Sequence, residues 1–252
     1  MGAFERMATD SDHVIDDASP LPTQVATLAG LERISEQFPT ELVRFLSLYG
    51  FAINEVTTKL EILQAEYTHF HDRNPIEHIS SRVKDPQSII DKARRRRVGL
   101  GLDEIRDNIQ DIAGIRVTCS FVSDVYVAFE ALCAQADIEV IEVEDYIAEP
   151  KPNGYRSLHA IIKVPVFLTG GAEDVFVELQ FRTIAMDFWA SLEHTIFYKY
   201  DKQVPDLLLR ELHEAAETAA HLDRRMERLH REISVLGIEP EPEPGGNGLV
   251  AS

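Results

Sequence analysis

The chain has 252 residues, 44% of them apolar, and a formal net charge of -18. That length and apolar share suit one sizeable folded domain with flanking helices, and no apolar run reaches the about 18 residues that a membrane-spanning helix requires. So large a negative charge argues against general nucleic-acid binding, DNA included, because an acidic field repels phosphate; an anionic ligand must find a local basic pocket.

Residues 1–39 mix Asp, Ser, Pro and Thr and read as a mostly disordered acidic segment, with a short helical piece expected near Val25 to Phe38. Nothing there has the basic-then-apolar layout of a signal peptide, so a cytoplasmic protein is expected. From Thr40 a long helix is predicted, with apolar residues at Leu42, Leu46, Tyr49, Ile53, Val56, Leu60, Leu63, Tyr67 and Phe70 in heptad spacing. A second seam, Leu208, Leu212, Ala215, Ala219, Leu222, Met226, Leu229, Ile233 and Leu236, is bracketed by Pro205 as a start and Gly237 as a stop. The two helices can pack on each other or on copies of the chain, and Ala215 and Ala219 would permit close approach. Residues 237–252, with Glu-Pro repeats and then Gly-Gly, read as an extended tail.

Between the seams, helix and strand alternate. Pro86 to Val98 is predicted helical, with Ile89, Ile90 and Ala93 inward and a basic cluster, Lys92 to Arg97, at its end. Strands are expected at Ile112 to Phe121, Ile138 to Tyr146, Tyr155 to Val166 and Asp174 to Arg182, with helices at Asp124 to Ala136 and from Thr183, as cap, to Tyr200. In the last strand Val175, Val177, Leu179 and Phe181 face one way and Glu178, Gln180 and Arg182 the other. This order gives an α+β fold, a mixed β-sheet with helices on one side, flanked by long N- and C-terminal helices over residues 40–236. Cys119 and Cys133 lack ligand spacing and read as reduced, buried small residues.

The stretch Asp145 to His159 combines turn chemistry at Pro150, Pro152, Asn153 and Gly154 with alternation that places Tyr155, Ser157 and His159 on one polar face. A loop lysine, an aromatic ring and an imidazole beside Arg156 suit a flat base carrying phosphates, although a surface hairpin would show the same turn residues. Two carboxylates, Asp111 and Glu178, flank predicted strands; paired carboxylates near phosphates are what Mg²⁺ requires. Each alone also reads as a helix cap or surface charge, and Asp111 has the wrong parity for Arg116's face unless the strand begins after it. Arg82, Lys84, Lys92 to Arg97 and Arg116 supply positive charge for a triphosphate, or form an ordinary solvated surface.

Three runs in order, Asp-Ile-Ala-Gly-Ile-Arg, Tyr-Ile-Ala-Glu-Pro-Lys-Pro-Asn-Gly-Tyr-Arg-Ser-Leu-His and Glu-Leu-Gln-Phe-Arg-Thr-Ile-Ala-Met-Asp-Phe-Trp, resemble the synthetase domain of the Rel/Spo family. The chain is similar over about Pro75 to Leu236 to its small single-domain members, the small alarmone synthetases, which are GTP pyrophosphokinases with a nucleotidyltransferase-like fold. The resemblance implies that Asp111 and Glu178 bind Mg²⁺, with Glu178 also taking the proton from the attacking hydroxyl. It implies that Arg82 and Arg116 sandwich adenine and that Lys84, Lys92 and Arg95 meet the ATP phosphates. On the acceptor side it implies that Tyr155 stacks on guanine, Lys151, Arg156 and His159 lie near the phosphates, and Gln180 supports the metal and ribose. Asp187 stands where family members often carry Asn; a carboxylate can accept from guanine N1–H and N2–H₂.

The implied reaction moves the β,γ-pyrophosphate of ATP to the 3′-hydroxyl of GTP, GDP or GMP and releases AMP. The larger family members carry a metal-dependent hydrolase ahead of this domain; here the lone His71-Asp72 dipeptide reads as chance, so synthesis without hydrolysis is expected. Glu193 and His194 are expected to support structure rather than bind metal. A homo-oligomer, a tetramer by family resemblance, is expected through the heptad helices. Another nucleotidyltransferase and an inactive nucleotide-binding regulator are the alternative readings, and single-stranded RNA stays open as a regulator.

Overall fold

The structure is a computed structural model and describes residues 39–199 and 204–236. The expectations for the N-terminal segment and for the tail lie outside the described residues.

The chain enters at Pro39 and runs directly into α1 (Thr40–Phe70). The middle of the predicted seam is the buried stripe: Leu46, Tyr49, Ile53, Val56 and Leu60 are buried, joined by Phe45, Leu48 and Ala52, while Leu42, Leu63 and Tyr67 are half-buried and Phe70 is exposed. A helix whose apolar stripe is this wide packs on a surface rather than along a narrow two-helix seam. Here α1 lies on the sheet, so its partner is the chain's own core. The helix stops where His71 turns to extended backbone, and β1 (Ile76–Val83) follows.

α2 (Pro86–Arg96) is fixed at its start by Asp85, whose carboxylate accepts from Ser88 N–H at 3.0 Å, with Pro86 in the first turn; it ends at Arg97, whose backbone is left-handed at φ 58°. A short α3 (Leu102–Asn108) leads to β2 (Ala113–Cys119) and α4 (Val122–Cys133). Then come β3 (Glu139–Asp145), β4 (Leu158–Leu168), β5 (Gly171–Thr183), α5 (Ile184–Lys199) and α6 (Asp206–Leu236). Thr183 caps α5 as predicted, accepting from Met186 N–H at 3.1 Å.

The five strands form one mixed sheet in the order β1-β2-β5-β4-β3. Only β2 and β5 run parallel; the other neighbours are antiparallel. One face is apolar, with Ile115, Val117, Val177, Leu179, Phe181, Ala160, Ile162 and Val164 buried under α1 and α4. Register puts opposite residues on the same face, so the other face reads across the strands in rows. One row is Arg82, Gly114, Glu178 and Ile161; the next is Ser80, Arg116, Gln180, His159 and Glu144.

Three expectations need correcting. The strand predicted from Tyr155 begins only at Leu158; ahead of it Tyr155 O is used inside the loop, accepting from Lys151 N–H at 3.1 Å. β1 and α3 were absent from the sequence reading. The second heptad seam is not the buried stripe of α6: Leu212, Ala216, Ala220 and Asp223 face inward, while Leu222, Met226, Leu229 and Ile233 are exposed. Small residues win the inner position because α6 passes very close to the β3–β4 loop, where a Cβ on Gly154 would meet Ala216 Cβ at 2.5 Å. Both cysteines are free thiols as expected; Cys119 is buried and pushed up to about 12 by that burial, whereas Cys133, also expected to be buried, is only half-buried.

Candidate active site

The polar face of the sheet carries the site, and its ends differ in chemistry. At one end β1 delivers Lys84 past its last ladder residue, where Lys84 N–H bonds Ile112 carbonyl oxygen at 2.8 Å. Asp111 occupies the turn just ahead of β2, so the parity objection disappears: the strand starts after it. Lys84 Nζ and Lys92 Nζ both reach Asp111 Oδ2, at 2.5 and 2.7 Å. Lys92 is thus not part of a solvated basic island; it is buried beneath the end of α2 while Arg94, Arg95, Arg96 and Arg97 remain exposed.

Burial would raise the Asp111 carboxyl, but the two ammonium groups outweigh it and hold it below the usual carboxylate range. Glu178, on the neighbouring strand β5 opposite Gly114, behaves oppositely. Burial, then the charge of Asp111, pushes it up to about 7 against the opposing pull of Lys84, Lys92 and Arg82. The two carboxylates therefore feel each other inside one buried cluster. Asp111 Oδ1 is buried without a hydrogen-bond partner. A buried orphan carboxylate oxygen beside a second, repelled carboxylate fits a hard divalent cation, which would cancel that repulsion. Among the described residues no group of three or more His, Cys, Asp or Glu gathers for a metal. Mg²⁺ needs only one or two carboxylates, taking its other ligands from water and phosphate oxygens.

At the other end, Asn153 and Gly154 turn the chain into Tyr155, with Gly154 at φ 90°. Tyr155 is 2% exposed and packs in a second small core with Trp189, Ala190, Leu212 and Ala216. Its hydroxyl lies 2.7 Å from His159 Nε2 and accepts from Arg182 at 2.7 Å. Lys151 Nζ stands 4.3 Å above the Tyr146 ring and 5.5 Å from that of Tyr155. Asn153 donates to Glu193 Oε1 at 3.1 Å, which gives Glu193 the supporting role expected of it. α6 closes this end: Trp189 Nε1 donates to Leu212 carbonyl at 2.8 Å, and Arg156 meets Glu217 at 3.0 Å.

The structure thus brings together Asp111, Glu178, Lys84 and Lys92, and separately Tyr155, His159, Gln180 and Asp187. Gln180 links the groups, donating to Glu178 Oε2 at 3.3 Å. Arg82 and Arg116 share the polar face by register, and Arg116 meets Asp187 Oδ1 at 3.3 Å. Arg95 lies on the exposed last turn of α2, and Arg156 points to α6 rather than joining Tyr155 and His159. Sequence reasoning gave no role to Arg182 and Trp189. The signal for Arg182 was present, since it shares parity with Glu178 and Gln180; Trp189 carried none beyond being the one tryptophan.

The fold and site define a nucleotide-handling transferase domain, and comparisons name its kind. Residues 81–203 match the model for the region found in RelA/SpoT proteins. The chain is 46% identical over 209 residues to the GTP pyrophosphokinase YwaC of Bacillus subtilis, covering 83% of this chain and 98% of that protein. The GTP pyrophosphokinase YjbM of the same organism is 41% identical over 190 residues, or 75% of this chain and 89% of YjbM. The structure of small alarmone synthetase 1 from Bacillus subtilis bound to its product pppGpp superposes with a TM-score of 0.73 at 40% identity, covering 78% of this chain and all of that one. The same enzyme bound to AMPCPP gives 0.67 at 36% identity, again with 78% of this chain and all of that one covered. The chain belongs to the small alarmone synthetases of the RelA/SpoT family.

Proposed function

We propose that the protein is a GTP pyrophosphokinase that transfers the β,γ-pyrophosphate of ATP to the 3′-hydroxyl of GTP, GDP or GMP and releases AMP. The observation that carries this reading is the convergence of Asp111 and Glu178, 67 positions apart as numbered, on one buried cluster clamped by Lys84 and Lys92. Such a reaction asks little covalent chemistry of a protein. It asks for alignment of two nucleotides, neutralised phosphate charge and one base.

Each part has a candidate. Asp111 and Glu178 would hold Mg²⁺, which when bound neutralises charge on the phosphates being cleaved. Glu178, on the same polar face, is the candidate to accept the proton of the 3′-hydroxyl. Arg82 and Arg116 offer guanidinium planes for adenine, while Lys84, Lys92 and Arg95 supply positive charge at the phosphate end. Tyr155 provides the guanine platform, with Lys151, Arg156 and His159 around the acceptor phosphates, Gln180 toward the ribose and Asp187 toward the base edge. In the structure Tyr155 is covered by α6, so a base reaches its ring only as the loop and α6 separate.

The test uses ATP labelled at the β-phosphate with GTP, GDP and GMP in competition. Label must move to a guanine product as AMP appears. AMP formation without guanine labelling would show a different nucleotidyl or hydrolytic chemistry, and the acceptor that captures most label is the preferred one.

The exposed residues Leu222, Met226, Leu229 and Ile233 support assembly into a homo-oligomer, a tetramer, through α6. Leu229→Glu should lower the mass measured by light scattering; an unchanged mass would place the interface elsewhere. Among the described residues no helix is long and apolar enough to cross a membrane, which is consistent with work in the cytoplasm.

A further inference from the structure

Arg182 is the largest side chain in the fully buried set, at 1% exposure. A buried guanidinium is costly unless its donors are matched; Nε of Arg182 has no partner among the described residues, and the groups that match its two terminal nitrogens all belong to the site. Its NH2 donates to Tyr155 hydroxyl at 2.7 Å and to Gln180 Oε1 at 3.0 Å, and its NH1 to Asp187 Oδ1 at 3.1 Å. Its guanidinium carbon lies 5.3 Å from the centre of the Tyr155 ring.

Each contact leads to a different working part. The Tyr155 hydroxyl, accepting from Arg182, has its own proton left to give, and His159 Nε2 at 2.7 Å is placed to take it. Gln180, with its amide oxygen turned to Arg182, must offer its nitrogen to Glu178, at 3.3 Å. Asp187 shares the same oxygen, Oδ1, between Arg182 and Arg116.

We propose that Arg182 is a positioning residue that holds the acceptor platform, the catalytic carboxylate and the donor-side arginine in one register, so that the two nucleotides are bound interdependently. This rests on the roles given above to Tyr155, Glu178 and Arg116. Arginine suits the task because its rigid planar fork meets fixed acceptors in several directions at once, whereas lysine brings a point charge on a flexible stem. A merely structural cross-link would change melting temperature and leave the kinetic constants of the folded enzyme alone.

Arg182→Lys keeps the charge and loses the fork. It is expected to lower kcat by about 10- to 100-fold, as misplacement of reacting groups does, and to raise the acceptor KM. Adding Tyr155→Phe, which keeps the ring and removes the accepting hydroxyl, should then cost little more. Wild-type kcat and KM in folded Arg182→Lys, or losses that multiply independently with those of Tyr155→Phe, would overturn the proposal.

Asp187→Asn and Tyr155→Phe keep the inference testable if Arg182→Lys does not fold. Their combined effect on acceptor KM should depart from the product of the single effects by about fivefold or more, since Arg182 is the group that touches both residues. Independent effects would sink it. A wild-type protein that transfers no label would refute the assigned reaction and not this inference. The same cycle is then read from calorimetric binding of GDP in the presence of AMPCPP, with the same two outcomes.

Discussion

The two ends of the sheet's polar face are built by opposite means. Around Asp111 the order comes from charge: two lysines converge on one carboxylate oxygen, and Glu178 is held beside them by strand register. Around Tyr155 it comes from packing, with Trp189, Leu212 and Ala216 pressed on a loop that turns through a positive-φ glycine. An ionic cluster set by sheet register can lose a functional group and keep its frame. A platform made by a helix leaning on a loop cannot, so stability and the role proposed for Tyr155 are tied at that end, whereas stability and the role proposed for Glu178 are separable at the other.

Glu178→Gln tests the separable end and should have the largest effect. Loss of a positioned base costs about 10²- to 10⁴-fold in rate. Label transfer should fall by that much or more while melting temperature is held or rises, because burial disfavours the carboxylate it replaces. A large fall in melting temperature would show that Glu178 is part of the frame after all. Gly154→Ala tests the tied end. The new Cβ would stand 2.5 Å from Ala216 Cβ at φ 90°, so a loss of about 1–3 kcal/mol is expected together with a raised acceptor KM and a smaller rise in ATP KM. Equal changes in both KM values would break the distinction between the ends.

The smallest expected effect concerns the strut between β5 and α6, where Thr183 hydroxyl donates to Asp223 at 2.8 Å. Burial raises the Asp223 carboxyl above its ordinary 3.8, with the Thr183 hydrogen bond opposing. A carboxyl raised in the fold gives its full stability below 3.8 and loses it as pH climbs through the raised value. Asp223→Asn keeps the acceptor oxygen and drops the titration. Its stability should therefore gain on the wild type as pH rises from 4 to 7, by about 1 kcal/mol or less, read by thermal melts across that range. A difference that is flat with pH would remove Asp223 from the pH response.

Much of this was legible in the sequence, and the failures have physical reasons. β5 could be read residue by residue because its two faces have opposite chemistry, and that alternation also placed Glu178 and Gln180 correctly. Tyr155 was grouped with His159, and although the ladder starts only at Leu158 the two meet, Tyr155 hydroxyl lying 2.7 Å from His159 Nε2. β1 escaped because an edge strand with exposed Glu77, His78 and Ser80 alternates too weakly, and α3 because its 7 residues make too few turns to show a period. The seam in α6 misled because apolar spacing measures what a helix can bury, whereas close approach at Gly154 selects alanines. Lys92 was placed in a basic island, but only tertiary structure shows which lysine of a cluster turns inward.

α6 presents two faces to two audiences. Its inner Leu212 and Ala216 pack with Tyr155, and its outer turns offer Leu222, Met226, Leu229 and Ile233 to whatever lies outside the chain. A rod 31 residues long transmits a tilt from one end to the other. Under the roles proposed for Tyr155 and Asp111, gripping or releasing the outer turns would be felt first at the Tyr155 end, with the lysine-bound carboxylate the last to notice.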